Sequence, residues 1–233
     1  GVLFAPEDLN MVKDGPAERR RFLDMELSQI SPAYYCQLQR YMRALNQRSK
    51  VLRGAAFAPE LADTLPDWDA QLARAGARIV EARRDFVRRL GGHARDVHRD
   101  ITGGKEVLEL SYRCSVGENL AGEALENHLY TALEKAREND LKRCITSVGP
   151  HRDDLGIAIG RVDARMYGSQ GQQRSCALSL KLAELLVMRE EIGEYPVLML
   201  DDVMSELDPG RRRQLLGALQ GVQILITCTD PED

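Results

Sequence analysis

At 233 residues the chain is long enough to bury a sizeable core, in one large domain or two small ones. Apolar residues at 43% and charged residues at 29% suit an ordinary globular protein, and a net charge of −4 gives no bulk attraction to nucleic acid. There is no apolar run of about 18 residues to span a membrane, and no basic start leading into an apolar stretch as a secretion signal requires.

Val2-Leu3-Phe4 reads as a strand at once, and the opening on glycine rather than methionine suggests a piece of a longer protein whose first part lies upstream. A helix is expected over 17–30, with Pro16 near its first turn, and Ser31-Pro32 then restarts the chain as N-cap and N1 proline. The following helix, over 32–53, is amphipathic. Leu38, Tyr41, Leu45 and Leu52 share one face, while Arg40, Arg43, Gln47 and Lys50 share the opposite one. A second long helix is expected over 67–90 with Trp68, Leu72, Ala75, Ile79 and Phe86 inward. Gly91-Gly92 ends it, and a shorter helical piece continues to Ile101. Residues 1–104 carry 17 basic against 14 acidic side chains, and the remainder 15 against 22. A basic front on an acidic back suits a polyanion-facing module joined to a different kind of domain.

Past Gly103-Gly104 the period changes. "EVLELSYRC" (106–114) alternates as a strand, 120–142 is a charged helix, and "DLGIAIG" (154–160) is another strand. The polar stretch "YGSQGQQRS" (167–175) opens a helix over 170–192 that is apolar around much of its circumference and therefore deeply buried. Gly193 and Pro196 stop it. "PVLMLDD" (196–202) suits the centre of a parallel sheet, Asp208-Pro209 caps another helix, and "QILIT" (223–227) is the next buried strand.

The five cysteines never form C-x-x-C, and their scatter through apolar segments predicts reduced, buried thiols of a cytosolic protein. His93 and His98 are five apart, on different helix faces, so no zinc site is expected there.

Two stretches carry chemistry. In "VLMLDDVMSELD" (197–208) an apolar strand delivers Asp201 and Asp202 at its C-terminal end, where open α/β sheets place their ligands. Adjacent carboxylates there call for a cation or a water to activate: Asp201 suits Mg2+, and Asp202 can polarise an attacking water. In the polar stretch, Ser169 and Gln172 fit a capping box, while the same helix end with its small Gly171 is also a site for an anion.

A serine-glycine-glutamine turn, a helix, a strand ending in two acids and then "SELD" resembles the signature, Walker B and D-loop order of ATP-binding-cassette ATPases. With "FAPEDLNMVKDGPAERRRFLD", "VGPHRDDL" and "LSLKLAEL", the chain resembles the RecF family of recombinational-repair proteins from residue 2 almost to its end. The implied fold is α/β, a partial ABC-type ATPase head, its P-loop region absent, with an inserted α-helical arm. Residues 1–11 and 195–233 would form part of a nucleotide-binding lobe. Residues 12–194 would form a second lobe with the arm (about 12–104) and the signature (167–175). No G-x-x-x-x-G-K-[ST] is present, and "TGGKE" (102–106) has Glu106 where a hydroxyl is needed, so the fragment alone is expected to be inactive.

By the same resemblance, Ser169, Gly171 and Gln172 contact the γ-phosphate of ATP bound by the other subunit of an ATP-dependent homodimer. Asp201 takes the Mg2+ position, Asp202 stands where many relatives carry glutamate, and Asp208 lies on the D-loop at the dimer interface. "FAPED" (4–8) falls in the Q-loop region without its glutamine, and Thr227-Cys228-Thr229 in the switch region usually marked by histidine. Cys144 stands where the family pattern has glycine, and His151 and Arg152 match a family motif with no evident chemical role. The implied activity is a weak DNA-dependent ATPase, cytoplasmic and nucleoid-associated, binding double-stranded and gapped or single-stranded DNA and promoting RecA loading with RecO and RecR. Arg40, Arg43 and Lys50 are the candidate phosphate contacts, supported by the runs Arg19-Arg20-Arg21, Arg83-Arg84 and Arg88-Arg89. An SMC-like clamp or scaffold that uses ATP only for dimerisation is the alternative; the arm is too short for the long coiled coil of that group.

Overall fold

A computed structural model describes residues 1–116, 119–201, 210, 217 and 221–227. It divides into two compact units. The first comprises Gly1–Phe22, Phe86–Ser111 and Leu155–Asp233, and the second Leu23–Asp85 and Tyr112–Asp154.

In chain order the elements are β1 (Val2–Phe4), a 3-10 turn (Pro6–Leu9), α1 (Asn10–Lys13), α2 (Pro16–Ile30), α3 (Pro32–Gly54) and a 3-10 segment (Pro59–Thr64). There follow α4 (Leu65–Ile101), β2 (Leu108–Arg113), α5 (Gly122–Arg143), β3 (Asp154–Ile159) and β4 (Val162–Asp163). The last described elements are α6 (Ala164–Tyr167), α7 (Gln170–Ile192), β5 (Leu198–Asp201) and β6 (Ile224–Thr227). The helix expected after Pro209 lies almost wholly outside the described residues; Gly210 and Gly217, the two described there, are helical.

The first unit holds a parallel sheet in the order β1-β5-β6, with Phe4 opposite Leu200 and Asp201 opposite Thr227. Apolar strands of this kind form central parallel pairs because both faces can be covered. Val2, Phe4, Leu198 and Leu200 are buried, and α7 packs on β1. The opposite row, Leu3–Met199–Leu225 in register, is less covered, with Leu3 49% and Leu225 55% exposed. A second sheet has the order β2-β3-β4, its last two strands antiparallel. Helix α7 is buried nearly all round from Ser175 to Met188, as its apolar density predicts.

Helix α4 corrects one expectation: it does not break at Gly91-Gly92 but runs on to Ile101 as one helix. Leu90, Ala94 and Ile101 bury the same stripe on both sides of the glycines, and a side chain at Gly91 would already touch Leu110. That burial outweighs the roughly 1 kcal/mol each glycine costs in a helix. The stop comes at Gly103 and Gly104, both left-handed, where the Gly104 N–H reaches back to the Arg99 carbonyl.

The second unit is helical, with Tyr41, Leu52, Leu72, Ile79, Leu129 and Leu133 in its core. Ser31 caps α3 by accepting from the Tyr34 N–H. Trp68, expected inward, is only half-buried; the buried neighbour is Asp69. Asp69 and Asp140 hold Arg48, itself 0% exposed, at 2.6 and 2.8 Å, and Thr146 Oγ1 accepts a third bond. Arg137 shares Asp69 from its other oxygen at 2.6 Å. Each carboxylate thus faces a guanidinium, the condition under which buried charge is tolerated.

Candidate functional site

The signature stretch is built by two short-range devices. Asp163 caps α6 by accepting from the Arg165 and Met166 N–H groups, and Gly168 follows with a backbone so close to Ala164 that a Cβ would lie 2.4 Å from its carbonyl oxygen. Ser169 is then the exposed N-cap of α7. Its Oγ accepts from the Gln172 N–H at 3.2 Å, and Gln172 Oε1 accepts from the Ser169 N–H at 2.9 Å, a complete capping box. Because Oγ is the acceptor in that bond, the serine's one O–H remains available as a donor. Gly171 and Gln172 are half-buried, and Gln172 Nε2 donates onward to Glu106 Oε1 at 3.0 Å.

At the C-terminal edge of the parallel sheet, Asp201 is exposed at the tip of the central strand, and the Thr227 hydroxyl from β6 donates to its Oδ1. The strand tip expected to be Walker B and the start of the expected switch region therefore meet directly. A carboxylate beside a hydroxyl is a hard oxygen set, which fits Mg2+ with water and phosphate completing the shell. No cluster of three metal-ligating side chains occurs among the described residues. Beside Phe4 on the same edge, Asp8 of "FAPED" accepts from the Ala5 N–H at 2.8 Å. Its other oxygen lies 4.0 Å from the buried Lys181 of α7, which pairs with Glu184 at 2.6 Å and sits over the Phe22 ring. Asp202, Asp208, Cys228 and Thr229 lie outside the described residues.

In the second unit Arg40, Arg43 and Lys50 are all exposed along α3, with no ion pair among the described residues. Other arginines of the expected basic surface are spent internally. Arg83 is 2% exposed and donates to Asp24 and the Pro150 carbonyl, and Arg84 donates to the Leu120 carbonyl. In the first unit Arg89 pairs with Glu190 and Glu191, and the buried Arg19 donates to the Asp14 carbonyl.

"VGPHRDDL" has a structural function that its residue types did not disclose. His151 Nε2 lies 3.0 Å from the Thr146 carbonyl and Nδ1 2.7 Å from the Tyr41 hydroxyl. A carbonyl only accepts, so Nε2 carries the proton and Nδ1 receives the Tyr41 O–H. Arg152 clamps the same carbonyl with two N–H groups, at 3.0 and 2.8 Å. Cys144 closes α5 at φ 53°, a left-handed conformation that favours glycine, the residue expected there. Of the four described cysteines only Cys176 is fully buried; Cys36 is exposed, against the expectation of buried thiols throughout.

The chain is 48% identical over 228 residues to the DNA replication and repair protein RecF of Agathobacter rectalis, covering 98% of this chain and 61% of that protein. It is 44% identical over 233 residues to RecF of Acetivibrio thermocellus, covering 99% of this chain and 63% of that one. Over nearly its whole length the chain matches the C-terminal part of RecF. It spans a little over three fifths of the length of these relatives. No family model matches. The solved structure of the recombination mediator protein RecF-ATPrS superposes with a TM-score of 0.91 at 38% identity, over 99% of this chain and 62% of that one. A second, described as RecF-ATP, gives 0.87 at 37% identity. The fold is accordingly α/β, part of an ABC-type ATPase head with an inserted α-helical arm.

The sequence-predicted residues fall in separate places. Ser169, Gly171 and Gln172 share one helix end and Asp201 stands at a strand tip; among the described residues no hydrogen bond or ion pair joins the two. Lys181, Glu106 and His98 were missed. Lys181 sits in a stretch that reads as uniform core, and Glu106 meets Gln172 across 66 positions with no local pattern to announce it.

Proposed function

We propose that this chain serves in an ATP-dependent DNA-binding protein of recombinational repair that dimerises on ATP. In this reading Ser169, Gly171 and Gln172 meet the γ-phosphate of ATP held by the other subunit, and Asp208 crosses the dimer interface. Asp201 holds Mg2+, and Asp202 polarises the attacking water in a slow, DNA-stimulated hydrolysis. Residues 1–11 and 195–233 serve the nucleotide-binding lobe, and 12–194 the arm and signature lobe; the chain alone is inactive because it contains no phosphate loop. Arg40, Arg43 and Lys50 contact the phosphates of double-stranded or gapped DNA. RecO, RecR and RecA are the protein partners, and the site of action is the cytoplasm at the nucleoid.

The observation that carries this reading is the Ser169 cap. Its oxygen accepts from the Gln172 N–H, so the exposed hydroxyl keeps its proton available to donate at the positive end of a 23-residue helix. The names of the relatives and the ATP-bound RecF structures support the nucleotide and repair assignments. In the full-length protein, Ser169→Arg should block ATP-driven dimerisation, measured by sedimentation, and leave ATP binding by the monomer intact. Loss of monomer binding would refute contact in trans. Asp202→Asn should abolish turnover while dimerisation persists; normal turnover would leave Asp202 out of the chemistry. A scaffold that uses ATP only for dimerisation stays open on one feature, the acid at 202 being one carbon shorter than glutamate.

A further inference from the structure

Glu106 ends "TGGKE", a stretch that resembles a phosphate loop only in composition, and its hydrogen bonds give it a different use. The Ser169 N–H requires an acceptor, so the Gln172 amide must turn Oε1 toward it and Nε2 away. Glu106 Oε1 takes that Nε2 at 3.0 Å. Its second oxygen meets Nε2 of His98 at 3.2 Å, and the His98 side chain is 0% exposed. His98 Nδ1 lies 2.9 Å from the hydroxyl of Ser179, whose single proton goes to the Ser175 carbonyl at 2.7 Å. Ser179 Oγ is therefore an acceptor and His98 Nδ1 a donor. One more proton must lie between His98 Nε2 and Glu106 Oε2, because two lone pairs facing each other at that distance repel. The buried end of this chain of bonds is anchored on α4 and α7, and its outer end grips the signature glutamine.

We propose that Glu106 is a positioning residue for the signature: braced by His98, it fixes the Gln172 amide and so holds Ser169 with its hydroxyl proton turned outward. This rests on the reading of Ser169 as a phosphate-contacting group. Without the carboxylate, the Gln172 amide is free to rotate, its Nε2–H2 can face the Ser169 N–H, and the capping box opens.

The conservative variant separates positioning from mere bulk. In Glu106→Gln the amide oxygen still accepts from Gln172 and the amide N–H donates to a neutral His98 Nε2, so every bond survives without charge. In the full-length protein, Glu106→Ala should weaken ATP-driven self-association about tenfold, the scale of a missing hydrogen bond to a charged group, with ATP binding by the monomer unchanged. Glu106→Gln should stay close to the parent. An alanine variant that dimerises like the parent, or a glutamine variant as impaired as alanine, overturns the proposal. Should alanine also cost monomer ATP binding, Glu106→Asp reads the same interaction: it keeps the charge but draws the carboxylate back by one carbon, so self-association should weaken while monomer ATP binding holds; an aspartate variant that dimerises like the parent also overturns the proposal. Ser169→Arg run alongside keeps the two ideas apart. If that variant dimerises, the signature reading fails; if it is blocked while Glu106→Ala is normal, only the role of Glu106 fails.

Discussion

The Tyr41 hydroxyl donates to His151 Nδ1 at 2.7 Å, directly in front of a glycine that leaves no space for anything else. A Cβ on Gly149 would stand 2.3 Å from the Tyr41 oxygen, and the backbone there has φ +125°. Burial pushes the Tyr41 phenol far above its ordinary range, so it stays a proton donor across the working pH range. Gly149→Ala should destabilise the second unit by at least about 2 kcal/mol, from strain plus the displaced hydrogen bond. Tyr41→Phe should cost less, about 1 kcal/mol. Urea unfolding followed by circular dichroism gives both, and equal effects would mean the glycine is not set by the tyrosine.

Cys144 offers a change in the opposite direction. A non-glycine residue held left-handed costs roughly 1–2 kcal/mol, and its side chain makes only a weak 3.7 Å approach to the Leu141 carbonyl. Cys144→Gly should therefore raise stability by about 1 kcal/mol, read as a higher midpoint in the same urea titration. A lower midpoint would show that the sulfur interaction outweighs the backbone strain.

The arginines divide into two groups that mutation should tell apart. Reversing Arg40, Arg43 and Lys50 to glutamate should leave the melting temperature nearly unchanged, since all three are exposed. DNA binding should weaken, with the log–log salt slope falling by about 0.9 for each phosphate no longer neutralised. Arg83→Glu should instead unfold the second unit, because it faces Asp24 and the Pro150 carbonyl with 2% exposure. A salt slope unchanged by the triple reversal would leave that stripe as solvated surface.

Thiol chemistry gives a further check. Burial, with the Glu106 charge adding to it, pushes the Cys176 thiol up to about 12. With the folded value above the unfolded one, its contribution to stability is complete below about pH 8.5 and is lost as the pH rises toward the folded value. Alkylation of the native chain should mark the exposed Cys36 first and reach Cys176 only on unfolding. Replacing Cys176 by alanine should flatten the alkaline loss of stability. Early labelling of Cys176 would contradict its burial.

What could be read in advance follows the range of the forces involved. The burial of α7 is evident from apolar density alone, and the Ser169–Gln172 box from two residues three positions apart. The continuity of α4 through Gly91-Gly92 was not, because local propensity argues for a break and only the packing of Leu90, Ala94 and Leu110 overrules it. Arg40 and Arg83 look equally available in a helical sequence, and the difference lies in Asp24, which the chain brings up from 59 positions away. Glu106 is the sharpest case. Its neighbours in sequence suggested a defective phosphate loop, while its partners in space are Gln172 and His98.

The half-covered row Leu3–Met199–Leu225 has a practical consequence for anyone who makes this chain by itself. Parallel strands are ordinarily sheathed on both sides, and here Leu3 and Leu225, on either side of a half-buried Met199, offer water an oily strip. Such a strip is cured by company: mild detergent, dilution or a neighbouring segment. Raising the concentration in plain buffer should therefore favour self-association through this strip, and mild detergent should reverse it.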